Sequence, residues 1–104
     1  MPADTHRRPF PSGVVRDLLG VTRALYRAER DADLPESLER LRRLEEAGKA
    51  YRQALDLGRC EPGTMGCRAA WSWAEKATAI LCEVVGDQGE LSNVVSVSAL
   101  ALRR

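Results

Sequence analysis

Histidine, aromatic residues and recognisable catalytic motifs are scarce in this chain of 104 residues. Its one histidine, His6, stands near the N-terminus, so the rest of the chain cannot supply a Ser/His/Asp or Cys/His catalytic arrangement. The sequence has no Gly-x-Gly-x-x-Gly, no P-loop and no Glu-x-x-His of the kind that di-iron helical bundles use. Its own side chains therefore offer no evident redox or hydrolytic centre, and an enzymatic reaction here would depend on a bound cofactor.

Cysteine pairs and long apolar segments are also missing. The three cysteines, Cys60, Cys67 and Cys82, form no Cys-x-x-Cys pair, which argues against a structural zinc site and against a secreted disulfide framework. The longest apolar-leaning run, residues 94–102, is far shorter than the roughly 20 residues of a membrane-spanning helix. Residues 1–13 lack the apolar stretch of a signal peptide. We therefore predict a cytoplasmic protein that does not enter membranes.

Neither sign of charge is in clear excess. The chain has 16 basic and 15 acidic residues, for a net charge of +1. A dedicated nucleic-acid-binding domain usually carries a clear basic excess, so a nucleic-acid partner is not expected. A chain of this length forms one domain with a modest core, and oligomerisation is a common way to stabilise such a domain.

What is present is helical periodicity, beginning with a first helix. Ser12 is predicted to cap a helix that starts near Gly13. Apolar positions then recur at steps of three and four residues, which defines one helical face. These positions are Val14, Val15, Leu18, Leu19, Thr22, Leu25 and Tyr26.

A different face of the first helix carries a row of arginines at positions 16, 23, 27 and 30. One interpretation is a basic docking stripe. The other is a solvated face whose arginines pair with acidic residues on the next helix. The sequence alone leaves both open.

A second helix is predicted up to about Leu57. Asp33 and Glu36 form a capping-box pattern, and Pro35 suits the first helical turn. The predicted inner face comprises Leu38, Leu41, Leu44, Gly48, Tyr51 and Leu55. Because glycine in a helix interior costs roughly 1 kcal/mol relative to alanine, Gly48 indicates either a close helix crossing or a point where a flat ligand approaches the backbone.

A third helix is predicted over about 67–85, after a turn at 58–66. It carries two adjoining apolar stripes that together cover nearly half of its circumference. One stripe is Trp71, Ala74, Thr78, Leu81 and Val85, and the other is Trp73, Ala77, Ile80 and Val84. A helix in a simple hairpin needs a narrower apolar face, so we predict that a second subunit covers the excess.

These patterns predict an all-α fold, a helical hairpin or three-helix bundle completed by homodimerisation. The predicted division is a flexible N-terminal tail at 1–12, a helical bundle at 13–85, and a linker with a docking peptide at 86–104. The last segment alternates small polar and apolar residues with a period near two, which favours an extended conformation. Such a segment either packs on its own bundle or docks onto another protein.

Residues 95–104 read Val-Ser-Val-Ser-Ala-Leu-Ala-Leu-Arg-Arg, and this C-terminal segment resembles the targeting peptides of encapsulin cargo proteins. The myxobacterial pattern is Leu-Thr-Val-Gly-Ser-Leu-Arg-Arg, and residues 95–100, Val-Ser-Val-Ser-Ala-Leu, follow its first six positions with conservative changes. Arg103 and Arg104 match its end after two additional residues, Ala101 and Leu102. When the two sequences are aligned from the terminus instead, Leu102, Arg103 and Arg104 match directly and Leu100 replaces the glycine. The resemblance implies that this segment docks onto an encapsulin shell protein inside a cytoplasmic nanocompartment. Its contact residues would be Val95, Val97, Leu100, Leu102, Arg103 and Arg104.

Among encapsulin cargos, the chain is similar in size and helical pattern to a small flavin-binding cargo of iron-storing shells. That resemblance implies a homodimer that binds FMN and reduces ferric iron with electrons from NAD(P)H. The cofactor-binding residues would be Tyr51, Thr64, Arg68, Trp71 and Trp73. Here the tryptophans and Tyr51 would contact the ring, while Arg68 and the loop amides from Thr64 onward would hold the phosphate.

The alternative is a non-enzymatic helical adaptor with the same docking peptide. In that case Trp71 and Trp73 are ordinary core or dimer-interface residues.

Overall fold

Three α-helices make up the fold of this chain. A computed structural model describes residues 10–59 and 64–86, in which α1 is Ser12–Ala32, α2 is Ser37–Leu57 and α3 is Met65–Val85. The predicted all-α class is therefore confirmed. The central helix α2 packs against both α1 and α3, whereas α1 and α3 make little contact with each other. Within the described residues, no helix has the length and apolar character needed to cross a bilayer.

The predicted caps of α1 and α2 are wrong, although the helix positions are close. Ser12 is the first helical residue instead of the cap, and no side chain caps α1 at Pro11. Asp33 adopts a left-handed conformation (φ 49°) and its backbone N–H donates to the carbonyl of Arg30, so it ends α1. Aspartate tolerates this conformation better than most residues. Asp33 is thus unavailable to cap α2, which begins after Glu36 with no side-chain cap.

The N-terminus of α3 has a side-chain cap that the sequence analysis missed. The Oγ1 atom of Thr64 accepts a hydrogen bond from the backbone N–H of Cys67 at 3.3 Å. This is the usual arrangement of a threonine N-cap. It places the start of α3 at Met65, two residues before the predicted start.

The core uses large side chains from all three helices together with alanines from α2 and α3. The largest fully buried side chains include Leu18, Leu44, Tyr51, Trp71 and Leu81. The α2 side also contains a buried alanine row that the sequence analysis overlooked, formed by Ala47, Ala50 and Ala54. Small side chains let α2 approach its neighbours closely.

Leu38 does not belong to the inner face of α2 as predicted. It is 70% exposed, and the buried residue in the first turn of α2 is Ser37. The Ser37 hydroxyl donates to Glu29 Oε2 at 2.7 Å. Glu29 also pairs with Arg40 at 3.3 Å, and Arg40 donates to the carbonyl of Val84 at 3.1 Å. These polar contacts link the ends of all three helices.

The predicted flexible tail at 1–12 extends too far into the chain. Phe10 packs edge-to-face on Trp71, with ring centroids 5.7 Å apart. Aromatic pairs prefer this geometry because the positive ring edge meets the negative ring face. Phe10 is therefore part of the packed domain, while residues 1–9 lie outside the described residues.

Candidate functional site

Tyr51 and Trp71, both predicted to contact a flavin ring, lie in the core. Tyr51 is 0% exposed and its hydroxyl lies 2.7 Å from Thr78 Oγ1, which itself donates to the carbonyl of Ala74. Burial raises the pKa of Tyr51 well above its usual range, so the phenol is neutral. Trp71 is 1% exposed. Burial leaves no surface of either ring for a flavin, and in the single chain both act as packing residues.

The other predicted cofactor residues lie near the N-terminus of α3 but do not converge. The carbonyl of Thr64 accepts from the N–H of Arg68 at 3.1 Å, and the Thr64 side chain accepts from Cys67, so the first turn uses these groups internally. The Arg68 and Trp73 side chains are exposed. They stand five positions apart, about 140° around the helix axis, so they point in different directions.

Trp73 is the accessible aromatic residue of α3. It is 37% exposed, and Lys76 Nζ lies 5.3 Å from its ring centroid in a cation–π arrangement. Ile80 and Val84 follow on the same side of the helix and are half-buried. We call Trp73, Ile80 and Val84 the α3 seam.

A single chain buries more of the α3 apolar face than the sequence predicted. Every member of the stripe that begins at Trp71 is buried. In the neighbouring stripe Ala77 is also buried, so that the uncovered apolar surface is concentrated at Trp73. The part left for a partner is therefore narrower than expected.

A groove lies between α1 and α2, and the sequence analysis did not predict it. Its volume is about 450 Å³. Leu19, Thr22, Leu44 and Gly48 form its floor, and Tyr26 lines one side. Cations from both helices form its rim: Arg23, Arg27, Arg30, Lys49 and Arg52. The α1 row was visible in the sequence, but only the antiparallel pairing with α2 brings Lys49 and Arg52 to the same surface.

A second hollow extends this groove toward the other end of α1. It has a volume of about 340 Å³ and shares Leu19, Arg23 and Arg52 with the first. Arg16 and Arg59 join the rim there, and Asp56 is the acidic residue of this hollow. We call the whole surface the arginine seam, defined by Arg16, Arg23, Arg27, Arg30, Lys49, Arg52 and Arg59.

The arginines of α1 do not pair with acidic residues on α2, contrary to one of the two interpretations. Within residues 10–59 and 64–86, Arg16, Arg23 and Arg27 have no ion pair, and Arg30 lies 3.9 Å from Asp31 of its own helix. Two acidic residues of α2 pair within their own helix: Glu39 with Arg42 and Arg43, and Glu45 with Lys49. Arg43 of α2 also pairs with Glu83 of α3.

Comparisons with known proteins add no relative to these observations. The chain matches no protein-family model, and searches of curated proteins and of solved structures returned no match. Among the described residues, no group of three or more His, Cys, Asp or Glu side chains is arranged to hold a metal ion. The residues predicted to contact a shell, Val95 to Arg104, lie outside the described part of the chain.

Proposed function

We propose that this chain is a helical adaptor that self-associates through the α3 seam and is carried by its C-terminal segment into an encapsulin compartment of the cytoplasm. The observation that carries the self-association is the exposure of Trp73 at 37% on the face of α3 that also carries the half-buried Ile80 and Val84. Met65, which is more exposed, lies at the N-terminal end of α3, outside the α3 seam. Partly exposed tryptophan is enriched at protein interfaces because it buries a large apolar area with little loss of conformational freedom.

A two-fold axis suits the α3 seam. In an antiparallel pair of α3 helices the axis would pass between Ala77 and Ile80, and Trp73 of each copy would contact Val84 of the other. This pairing covers the exposed ring with apolar side chains. It also places the C-terminal ends of the two α3 helices at opposite ends of the interface, and a dimer that carries two docking segments can bind a shell with avidity.

The experiment compares three forms of the chain by sedimentation and by co-purification with an encapsulin shell protein. The full chain is expected to sediment as a dimer at micromolar concentration and to co-purify with the shell. Trp73→Ala should shift the chain toward monomer, because the interface loses its largest side chain. Deleting 91–104 should abolish co-purification and leave helicity and the dimer intact.

Leu38→Ala is the matched control, since Leu38 is 70% exposed on α2 and lies outside the α3 seam. It should remain dimeric. A monomeric full chain at micromolar concentration would contradict the self-association, and loss of helicity on deleting 91–104 would contradict the docking role of that segment.

The rival hypothesis is an FMN-dependent ferric reductase, for which FMN would supply the electron transfer from NAD(P)H. The residues predicted to bind FMN do not form a ring-binding pocket in the single chain. Tyr51 and Trp71 are buried, and Arg68 and Trp73 point in different directions from α3. The adaptor proposal is favoured for that reason.

Titration of FMN against the full chain distinguishes the two hypotheses. Under the adaptor proposal, flavin fluorescence should show no saturable change and no NAD(P)H-dependent ferric reduction should appear. Saturable binding that Arg68→Ala weakens for FMN but not for riboflavin would establish a phosphate contact at Arg68 and overturn the adaptor reading.

A further inference from the structure

We propose that the arginine seam binds an acidic amphipathic α-helix of a partner protein. This inference is independent of the α3 seam and of the C-terminal segment. It rests on the length, the charge and the floor of the groove between α1 and α2.

The length of the seam suits a helical ligand. Arg16 and Arg30, at its two ends, are separated by fourteen positions of α1, which corresponds to about 21 Å at 1.5 Å per residue. The two hollows share Leu19, Arg23 and Arg52, so they form one continuous groove. A partner helix of about four turns would run along it, whereas a compact small molecule would fill only one hollow.

Charge is strongly segregated onto this seam. It holds seven of the 16 basic side chains of the chain, and its two hollows are lined by two of the 15 acidic side chains, Glu45 and Asp56. Glu45 lies 3.3 Å from Lys49, so its charge is already compensated. Arg23, Arg27 and Arg52 have no ion pair among the described residues. Guanidinium groups so placed are suited to bind carboxylates through paired hydrogen bonds.

The floor of the groove, between the two cationic rims, carries no charged side chain. Leu19 and Leu44 lie along it, and the hydroxyl of Thr22 donates to the carbonyl of Leu18 in its own helix at 2.8 Å. Leu44 and Thr22 are 1% exposed and Leu19 is 8% exposed, so the uncharged surface left between the two rims is that of Tyr26 and Gly48, which are half-buried. An amphipathic helix would place its apolar stripe on Tyr26 and Gly48 and its acidic side chains against both rims.

Gly48 provides the point of closest approach for such a helix. A Cβ atom at this position would lie 3.9 Å from Thr22 Cγ2 and 4.0 Å from Leu19 Cδ1, which is ordinary contact. The packing of α1 on α2 therefore does not require glycine here. Its missing side chain instead leaves room in the floor for an apolar side chain of the partner.

The test uses a fluorescently labelled helical peptide of about 15 residues, with leucine at helical spacing and glutamate on both sides of the leucine stripe. A second peptide carries lysine in place of glutamate. The full chain is expected to bind the glutamate peptide saturably in fluorescence anisotropy, more weakly as salt rises, and not to bind the lysine peptide.

Two pairs of variants locate the site. Arg23→Glu with Arg27→Glu should weaken the glutamate peptide by about tenfold or more, whereas Arg42→Glu with Arg68→Glu changes the net charge equally, away from the seam, and should have a much smaller effect. Gly48→Met should weaken binding by filling the floor. Gly20→Met is its control, because Gly20 is exposed and has open space around it.

Several results would overturn the proposal. These are the absence of saturable binding of the glutamate peptide, equal losses in the two charge-reversal pairs, or equal effects of Gly48→Met and Gly20→Met. Tighter binding of a polyuridylate oligonucleotide that Gly48→Met leaves unchanged would also overturn it, since the seam would then recognise a phosphate backbone. Circular dichroism of each variant confirms that its helicity is retained.

Discussion

Replacing Trp71 with alanine is expected to lower the free energy of unfolding by about 3–5 kcal/mol. Trp71 is 1% exposed, and it contacts Phe10 through an edge-to-face ring pair. Its removal leaves a cavity that small neighbouring side chains such as Ala70 and Ala74 cannot fill. Domains of this size are stable by about 5–15 kcal/mol in total, so the variant should lose a large fraction of its stability and unfold at a much lower urea concentration.

Trp73→Ala is the informative comparison, because it makes the same chemical change two positions away. The ring of Trp73 is 37% exposed, and we expect a loss of about 1 kcal/mol or less in the stability of the single chain. Urea unfolding followed by far-ultraviolet circular dichroism at several protein concentrations measures both variants and separates folding from association. Equal losses would mean that Trp71 is not the core residue described above.

The contrast between the two tryptophans shows what helical periodicity can and cannot predict about burial. The spacing of Trp71, Thr78 and Leu81 predicts one face of α3, and all three are buried. The same spacing could not tell how much of the neighbouring stripe the single chain covers, because that depends on how α2 packs against α3. Periodicity marks an apolar side chain as suited to burial but does not say which neighbour buries it.

Helix ends were harder to predict than helix faces for a local reason. Asp33 and Glu36 match a capping box, yet Asp33 takes a left-handed conformation and closes α1. The same residue type favours both positions, because aspartate caps N-termini and also tolerates positive φ. Whether Asp33 ends α1 or caps α2 depends on the conformation of the short turn between the two helices. The alanine row of α2 was overlooked because alanine gives little hydrophobic signal, although it is well suited to close helix packing.

The candidate binding surface needed tertiary information. The sequence places Arg23 and Arg27 on one face of α1, but nothing in the spacing of α2 connects Lys49 and Arg52 with them. The antiparallel register of α1 and α2 aligns them across a shared groove. The spacing of residues within one helix does not give the alignment of that helix with another, so the arginine seam could not be predicted from the sequence.

Gly58→Ala is expected to destabilise the protein by about 1–3 kcal/mol, although alanine favours helix over glycine by roughly 1 kcal/mol. Gly58 has an ordinary right-handed conformation (φ −68°, ψ −3°) at the end of α2, so backbone strain is not the cause. A Cβ atom there would clash with the ring of Phe10, lying 2.8 Å from its Cε2. The ring must then leave its contact with Trp71, which uncovers part of the core.

Two further variants test this explanation for Gly58. Gly20→Ala makes the same substitution inside α1 with open space around it, and it should stabilise the protein by up to about 1 kcal/mol. In a Phe10→Ala background the clash with the ring no longer exists and only the approach to the Ala54 carbonyl oxygen at 3.0 Å remains, so Gly58→Ala should cost clearly less. Thermal or urea unfolding of the four combinations at positions 10 and 58 gives the interaction energy directly. If Gly58→Ala costs the same with and without the Phe10 ring, its effect does not arise from displacing that ring, and the role assigned to Phe10 in closing the core is wrong.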